Sequence, residues 1–420
     1  MKNATVIVIG GGLSGLTTAT YLASAGIDVL LLEQGKRYAK RNINVPSEVL
    51  SGIGGAGTVS GGKLCFPPAS GAIWRKTSKT MDRFHSFCQA MFSGLQVISP
   101  IPRQDNSLNS SMTRKYYRTE VVLKDSMQKF IVNLINQSTQ NGVKIRSGCC
   151  VDGLRRTSNG YEVLFINEGG EREIQKSNYI VLATGRTSVA FLHTLFRLQQ
   201  SHQPDLGIRL TTDLAQPLFS VIGEDVKLKQ TIDRFMVRTF CVCCGGSSIK
   251  TSTGGYTHYD GHFESHLTDC TNFGILARSP LYSGIDISEH YLQSMQHYVD
   301  TAISLKDFIR LHALLSKGSI YDSLFDVLTE FILELYRSGM LNQNADEIPV
   351  LLPAVDRVNP FIHTNARFES SLPHVYVVGD AAGISRGFVQ AMWAGYCAAE
   401  GIISQITRTH YNLRKQVTAS

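Results

Sequence analysis

Three glycines and one carboxylate carry the most informative spacing in the chain. They are Gly10-x-Gly12-x-x-Gly15 and, about 20 residues further on, Glu33. An apolar run, Val6 to Ile9, leads into the glycines, and a second, Val29 to Leu32, ends at the acid. Such a set binds a diphosphate and a ribose. Gly10 permits a tight turn, Gly12 lets backbone approach a pyrophosphate, and Gly15 allows a helix to pack closely on its strand. The amides of Leu13 and Ser14 open that helix and point its positive end at the phosphates. Glu33, with Gln34 beside it, faces the ribose. A 2′-phosphate would meet a carboxylate there, so NADP is disfavoured and NAD or FAD favoured.

A second constellation lies near the other end of the sequence. His374 to Gly379 reads as a strand that ends in Gly379-Asp380-Ala381-Ala382-Gly383, and a helix follows from about Arg386-Gly387. This resembles the second FAD-binding motif of flavoproteins with the glutathione-reductase type of fold. The resemblance implies that Asp380 hydrogen-bonds the ribityl chain. It also implies that the helix start, at Gly387, Phe388 and Val389, faces the pyrimidine edge of the flavin. A helix dipole there would stabilise negative charge on the reduced ring. Tyr179 to Leu182 followed by Ala183-Thr184-Gly185 is similar to the turn that packs beside the adenosine in that family, and Val151 is placed among the same contacts. Three motifs in this order favour FAD over NAD.

Candidates for catalysis are fewer. Gly52 to Gly62 is glycine-rich, and its backbone amides are expected to line the cofactor pocket, with Ser60, Gly62 and Lys63 contributing polar contacts. Lys63 beside a flavin edge would stabilise the reduced ring or hold an anionic substrate. His258, His262 and His266 recur every four residues, but intervening glycines argue against one helix, and His262 is the acid–base candidate. Cys241, Cys243 and Cys244 lack the spacing of a familiar zinc set or of the C-x4-C redox pair of disulfide reductases, so we read them as small buried thiols. No metal site is expected.

The elements that must position these residues follow from periodicity. Leu13 to Ala25 and Asp125 to Asn141 read as helices, and Val143 to Ile145 as the third parallel strand. Residues 150–175 alternate like a small antiparallel meander. Strands are expected at Val221-Ile222 and Arg238 to Cys241, and helices at Ser288 to Ser304 and Tyr321 to Ser338. The polar stretch Pro100 to Arg114 reads as loop. The expected fold class is α/β, a Rossmann-like FAD-binding domain with an inserted α+β substrate domain. The expected division is 1–190 with 355–420 for the cofactor, including the meander, and 191–354 as the substrate-facing cap.

Composition sets outer limits. The 420 residues carry a net charge of +7, which suits anionic phosphates and an acidic substrate without demanding nucleic acid. No apolar stretch is long enough to span a membrane. With no secretory leader recognised, the nine cysteines read as reduced thiols of a cytoplasmic protein.

Gly54-Gly55-Ala56-Gly57-Thr58-x-Ser60-x-Gly62-Lys63-Leu64, Arg238-Thr239-Phe240-Cys241-x-Cys243, Gly261-His262 and Thr271-Asn272-Phe273 add a further likeness. With Gly379 to Gly387, they resemble a bacterial family of predicted FAD-dependent, or NAD(FAD)-utilising, dehydrogenases. Gly61 and Cys244 depart from that family's pattern, which often has an acid and a proline there. The implied activity is hydride transfer between a small organic substrate and flavin N5. A flavin monooxygenase is the alternative, and a flavoprotein acting on RNA or a non-catalytic flavin binder the third reading. Only one glycine fingerprint sits in a strand–turn–helix setting. Electrons are therefore expected from the substrate, from NAD(P)H bound transiently at the flavin face, or from a separate reductase.

Overall fold

The computed structural model describes residues 4–58, 61–100, 111–115, 117–200, 203–217, 221–279, 287–301, 303–315, 321–356 and 360–418. Two seven-stranded sheets organise them. In the first, Lys144–Ser147, Val29–Glu33, Ala4–Ile9 and the carboxyl-terminal half of Arg172–Leu182 lie side by side in parallel, and Val375–Val377 pairs parallel beyond them. Val29 to Glu33 are all buried, as expected for parallel strands covered on both faces. Arg172–Leu182 is long enough to serve twice. Its first half pairs antiparallel with Gly160–Ile166, which pairs in turn with Cys150–Thr157, so the meander grows directly from the nucleotide sheet.

Helix Leu13–Ser24 covers this sheet and packs against the long helix Phe388–Thr418. The approach is close because Gly395 has no side chain: a Cβ there would strike the Ser14 carbonyl. Thr18 Oγ1 donates to Ser14 O at 2.8 Å and reaches Gly395 O at 3.1 Å across the two helices.

The second sheet is antiparallel, in the order Ile303–Ser304, Pro349–Asp356, Asp205–Asp213, Cys270–Arg278, Phe235–Cys244, Lys227–Ile232 and Thr113–Lys115. Leu206, Ile208, Leu210, Phe273 and Ile275 face helices Ile287–Met295, Leu305–Leu315 and Asp322–Arg337 in a second hydrophobic core. Alternation then sends Gly207, Arg209, Asn272, Gly274, Arg238 and Phe240 to the opposite face. Leu324, Leu328, Phe331, Ile332 and Leu335 form the buried helix stripe that the 3.6-residue period predicts.

Three expectations need correction. Val221 and Ile222 are not a strand: they enter a turn at Gly223, whose φ of +86° diverts the chain. The helix expected over Ser288 to Ser304 ends at Met295, passes through a short 3-10 turn at Gln296–Tyr298, and gives way to the strand Ile303–Ser304, with Asp300 left-handed at φ +68° between them. Within the stretch read as loop, Thr113–Lys115 pairs with Lys227–Ile232 as an edge strand, while residues 101–110 lie outside the described residues.

Candidate functional site: a dinucleotide cradle facing a charged sheet

At the carboxyl ends of the parallel strands two adjoining cavities, of about 260 and 240 Å³, share Gly10, Glu33, Gln34 and Thr184. The larger is lined by Gly12, Leu13 and Ser14 on one side and by Ala183, Gly185, Arg186, Asp380, Gly387 and Phe388 on the other. The smaller continues past Gln34 to Cys150 and Val151. Together they form the elongated track that a dinucleotide requires.

The glycines divide the labour as the motif predicts. Gly10 adopts φ +109°, and a Cβ on Gly15 would collide with the Gly10 carbonyl. A Cβ on Gly12 would meet nothing nearer than Gly55 Cα at 3.9 Å, so it would project into open cradle. No side chain caps the helix that starts at Leu13, and its first amides face the same space.

Glu33, expected at the ribose, is also a hydrogen-bond hub of the protein itself. Its Oε2 accepts from Gly11 N–H at 2.7 Å, and its Oε1 accepts from Gly35 at 2.8 Å and Gly52 at 3.1 Å. The carboxylate therefore ties the first glycine turn to the glycine-rich loop. Arg41 braces that loop from behind, donating to the carbonyls of Glu48, Val49, Ile53 and Gly55. Gly52, Gly55, Ala56 and Gly57 line the cradle.

Asp380 Oδ2 pairs with Arg186 Nε at 3.2 Å, while Asp380 Oδ1 is buried and has no hydrogen-bond partner. A buried carboxylate oxygen left unsatisfied is costly, and a ligand hydroxyl would satisfy it. Gly379, at φ +67°, fits only without a side chain, since a Cβ would sit 2.5 Å from Ser14 Oγ. Val389 is fully buried in the core, and Gly62 pairs with Val122 in a two-stranded ribbon. Neither lines the cradle cavities. Ser60 lies outside the described residues.

Lys63 is neither solvated nor at the cradle wall. Its Nζ lies 3.2 Å from Asp225 Oδ1 and donates to Val242 O at 2.6 Å. Burial alone would lower its pKa, but the charge of Asp225 reverses this and holds the ammonium well above its ordinary range. Tyr117 completes the group by hydrogen-bonding Asp225 Oδ2. His262 is also absent from the cradle lining. It ends the strand Tyr256–His262, where Nε2 meets Ser247 Oγ at 2.8 Å and Glu264 Oε1 at 3.1 Å. Its Nδ1 is buried and has no partner.

Sequence reasoning passed over the arginines. Arg186 directly follows the Ala183-Thr184-Gly185 turn, and Arg386 precedes Gly387, positions that could have flagged both. Arg386 pairs with Asp356, and Arg238 bridges Asp356 and Asp205, so the turn before the long helix is bolted to the second sheet. Burial, then the charges of Arg186 and Arg238, pushes the Arg386 pKa down to about 9. Arg186, Arg386 and Arg238 thus form a network of ion pairs with Asp380, Asp356 and Asp205.

Residues 5–100 match the family model described as FAD dependent oxidoreductase (DAO). No curated protein matches the chain. Among solved structures, a ternary complex of aklavinone-11 hydroxylase with FAD and aklavinone is similar at 14% identity and a TM-score of 0.47, over 97% of this chain and 63% of that one. A geranylgeranyl bacteriochlorophyll reductase-like protein from Thermoplasma acidophilum is similar at 12% identity and a TM-score of 0.48, over 98% and 80%. A flavoprotein/dehydrogenase from Cytophaga hutchinsonii stands at 12% and 0.44, over 97% and 79%. The chain spans less than two thirds of the length of the first of these. Over residues 5–100 the chain is thus similar to FAD-dependent oxidoreductases, and the cofactor that this similarity implies is FAD. No helix among the described residues is long and apolar enough to cross a membrane.

Proposed function

We propose that the chain moves hydride between a small organic substrate and flavin N5, making or saturating a C–C or C–N double bond. The likeness to predicted NAD(FAD)-utilising dehydrogenases supports this reading, as does the division of labour between the two sheets. In this reading 1–190 with 355–420 hold the cofactor and 191–354 present the substrate-facing surface, with Thr113–Lys115 recruited to its edge.

The observation that carries it is Asp380 at the cradle, held by Arg186 through Oδ2 and left with a buried Oδ1 that has no hydrogen-bond partner. When bound, the flavin supplies the hydride donor or acceptor. Gly12, Leu13 and Ser14 would hold the diphosphate, Glu33 and Gln34 the adenosine ribose, and Asp380 a ribityl hydroxyl through its free Oδ1. Arg186 holds Asp380 in orientation through Oδ2. The start of helix Phe388–Thr418 would favour negative charge at the reduced ring or on a carboxylate substrate. Lys63 acts through structure, fixing the strand at Val242, and His262 acts through structure too, tied to Ser247 and Glu264.

Anaerobic mixing of the yellow protein with small saturated organic acids and amines and their unsaturated partners, and separately with NADH and then NADPH, followed by air, tests the reading. Reduction by a saturated organic substrate or its unsaturated partner's reoxidation of the flavin, without oxygen, is the expected result. Oxygen uptake coupled to a hydroxylated product would overturn it in favour of a monooxygenase. Rapid reduction by either nucleotide would identify the transient donor, and its absence would leave the substrate or a separate reductase in that role.

A further inference from the structure

The second sheet carries a row of cations on the face turned away from its helices. In strand Lys227–Ile232, Leu228 is fully buried in the helix-side core, so alternation sends Lys227 and Lys229 to the other face. Register extends the row in both directions. Lys227 stands directly opposite Lys115 in Thr113–Lys115, and Lys229 directly opposite Arg238 in Phe235–Cys244. The ammonium groups of Lys227 and Lys115 lie 5.1 and 6.0 Å from the centroid of the same Tyr117 ring. Arg238 leads on to the cradle. It donates to Asp356 Oδ2 at 2.7 Å, and Asp356 also pairs with Arg386, whose neighbour Gly387 lines the cofactor cavity.

Like charges set directly opposite each other in a sheet destabilise it. Arg238 is compensated by Asp205 and Asp356. The three lysines are not: among the described residues none of them forms an ion pair, whereas Lys63 and Lys306 do. Asp225, the carboxylate that acts on Lys227, is committed to Lys63 and Tyr117. Lys227 and Lys229 are half-buried and Lys115 is exposed. Burial, then the charges of Lys115, Arg238 and Arg278, holds the Lys229 pKa below its ordinary value. Guarding a sheet edge would explain Lys115, which stands on the outermost strand. It does not explain Lys227 and Lys229, whose strand lies inside that edge. A bound anion relieves the repulsion among all three.

We propose that Lys115, Lys227 and Lys229 bind the phosphate group of a phosphorylated small molecule. A phosphate dianion is compact and presents oxygens on every side, so it suits several ammonium groups, whereas a planar carboxylate matches the fork of an arginine. The row ends at the turn that carries Gly387, so a molecule anchored here has the cradle at the far end of the row. Two sources share this chemistry: a phosphate on the substrate, and the 2′-phosphate of NADPH as transient donor. The site is separate from Glu33, where a 2′-phosphate is disfavoured. Which source it is rests on the hydride-transfer reading; the binding itself does not.

The test uses the flavin-loaded full chain at constant ionic strength, without turnover. Lysines are acetylated with acetic anhydride, with and without inorganic phosphate, and located by peptide mapping. Phosphate should protect Lys115, Lys227 and Lys229 saturably, and leave the exposed Lys144 and Lys306 as reactive as before. Lys115→Ala should weaken protection of the other two roughly 10-fold, the size of one charged hydrogen bond. Protection by NADPH at much lower concentration than by NADH would assign the phosphate to the donor. Equal protection by the two nucleotides, with glycerol phosphate better than either, would assign it to the substrate. No protection by phosphate, NADPH or glycerol phosphate would overturn the proposal. So would protection by an oligouridylate alone, which would make the row a nucleic-acid surface. Should Lys115→Ala fail to fold, protection on the native chain decides alone. Protection is read without hydride transfer, so the failure of either reading leaves the other standing.

Discussion

Arg186 Nε lies 3.2 Å from Asp380 Oδ2, and this contact joins two turns that are 194 residues apart in sequence. One turn ends the strand Arg172–Leu182, the other follows Val375–Val377, and these strands pair in parallel. The carboxylate is thereby aimed, with Oδ1 left for a ligand. Asp380→Ala should weaken FAD retention roughly 10- to 100-fold, the size of one or two charged hydrogen bonds. Equilibrium dialysis against FAD measures it. Unchanged affinity would remove Asp380 from the cofactor site.

Glu33→Ala should act on the apoprotein as well as on the cofactor. Three backbone amides lose their acceptor, at a cost of roughly 2–4 kcal/mol. Thermal unfolding of flavin-free protein shows whether this is so. An unchanged Tm would confine Glu33 to the ribose.

Gly12 and Gly15 should fail in different ways. Gly15→Ala drives a Cβ into the Gly10 carbonyl and should lower stability by about 1–3 kcal/mol or more. Gly12→Ala puts its methyl into open cradle, so the apoprotein should melt normally while FAD binding is lost. Denaturant curves and flavin occupancy, taken together, separate the two.

Asp225→Asn should be severe although Asp225 lies outside the cradle lining. It leaves the Lys63 ammonium, only 8% exposed, without its counter-charge, at about 3–5 kcal/mol. Restoration of the urea midpoint by adding Lys63→Met would show that the loss arises from the stranded charge.

Acid should find His262. Burial holds its imidazole below the ordinary 6.5, against the opposing charge of Glu264. The unfolded chain takes up that proton more readily, so the contribution is complete above pH 6.5 and is lost as pH falls through the lower folded value. His262→Gln should flatten the stability profile on the acid side of neutrality. An unaltered profile would assign the acid sensitivity elsewhere.

The cradle was legible because its geometry is local. A strand, a tight turn and a helix impose fixed spacing on Gly10, Gly12, Gly15 and Glu33, and Val375 to Asp380 repeats the strand-and-turn logic. The long-range partners were not. Lys63 looked like a flavin-edge cation because nothing near it in sequence announces Asp225 or the Val242 carbonyl. His262 looked like a proton carrier for the same reason, with Ser247 visible only once Ser247–Thr253 and Tyr256–His262 pair. Strand Phe235–Cys244 bulges between Phe240 and Cys243, with Cys241 at φ +46°, and this also escaped notice. A left-handed residue is easily anticipated at glycine, and here it falls on cysteine.

Thr18 reaching Gly395 has a consequence for biosynthesis. The wall of the cradle at Gly10 to Ser14 is translated well before the opposite wall, with Asp380, Gly387 and Phe388. A nascent chain on the ribosome cannot grip FAD until helix Phe388–Thr418 has been released and has docked on Leu13–Ser24. Until then the apolar face of that first helix is uncovered. Cofactor capture and the covering of that helix therefore fall at the same moment, when helix Phe388–Thr418 docks.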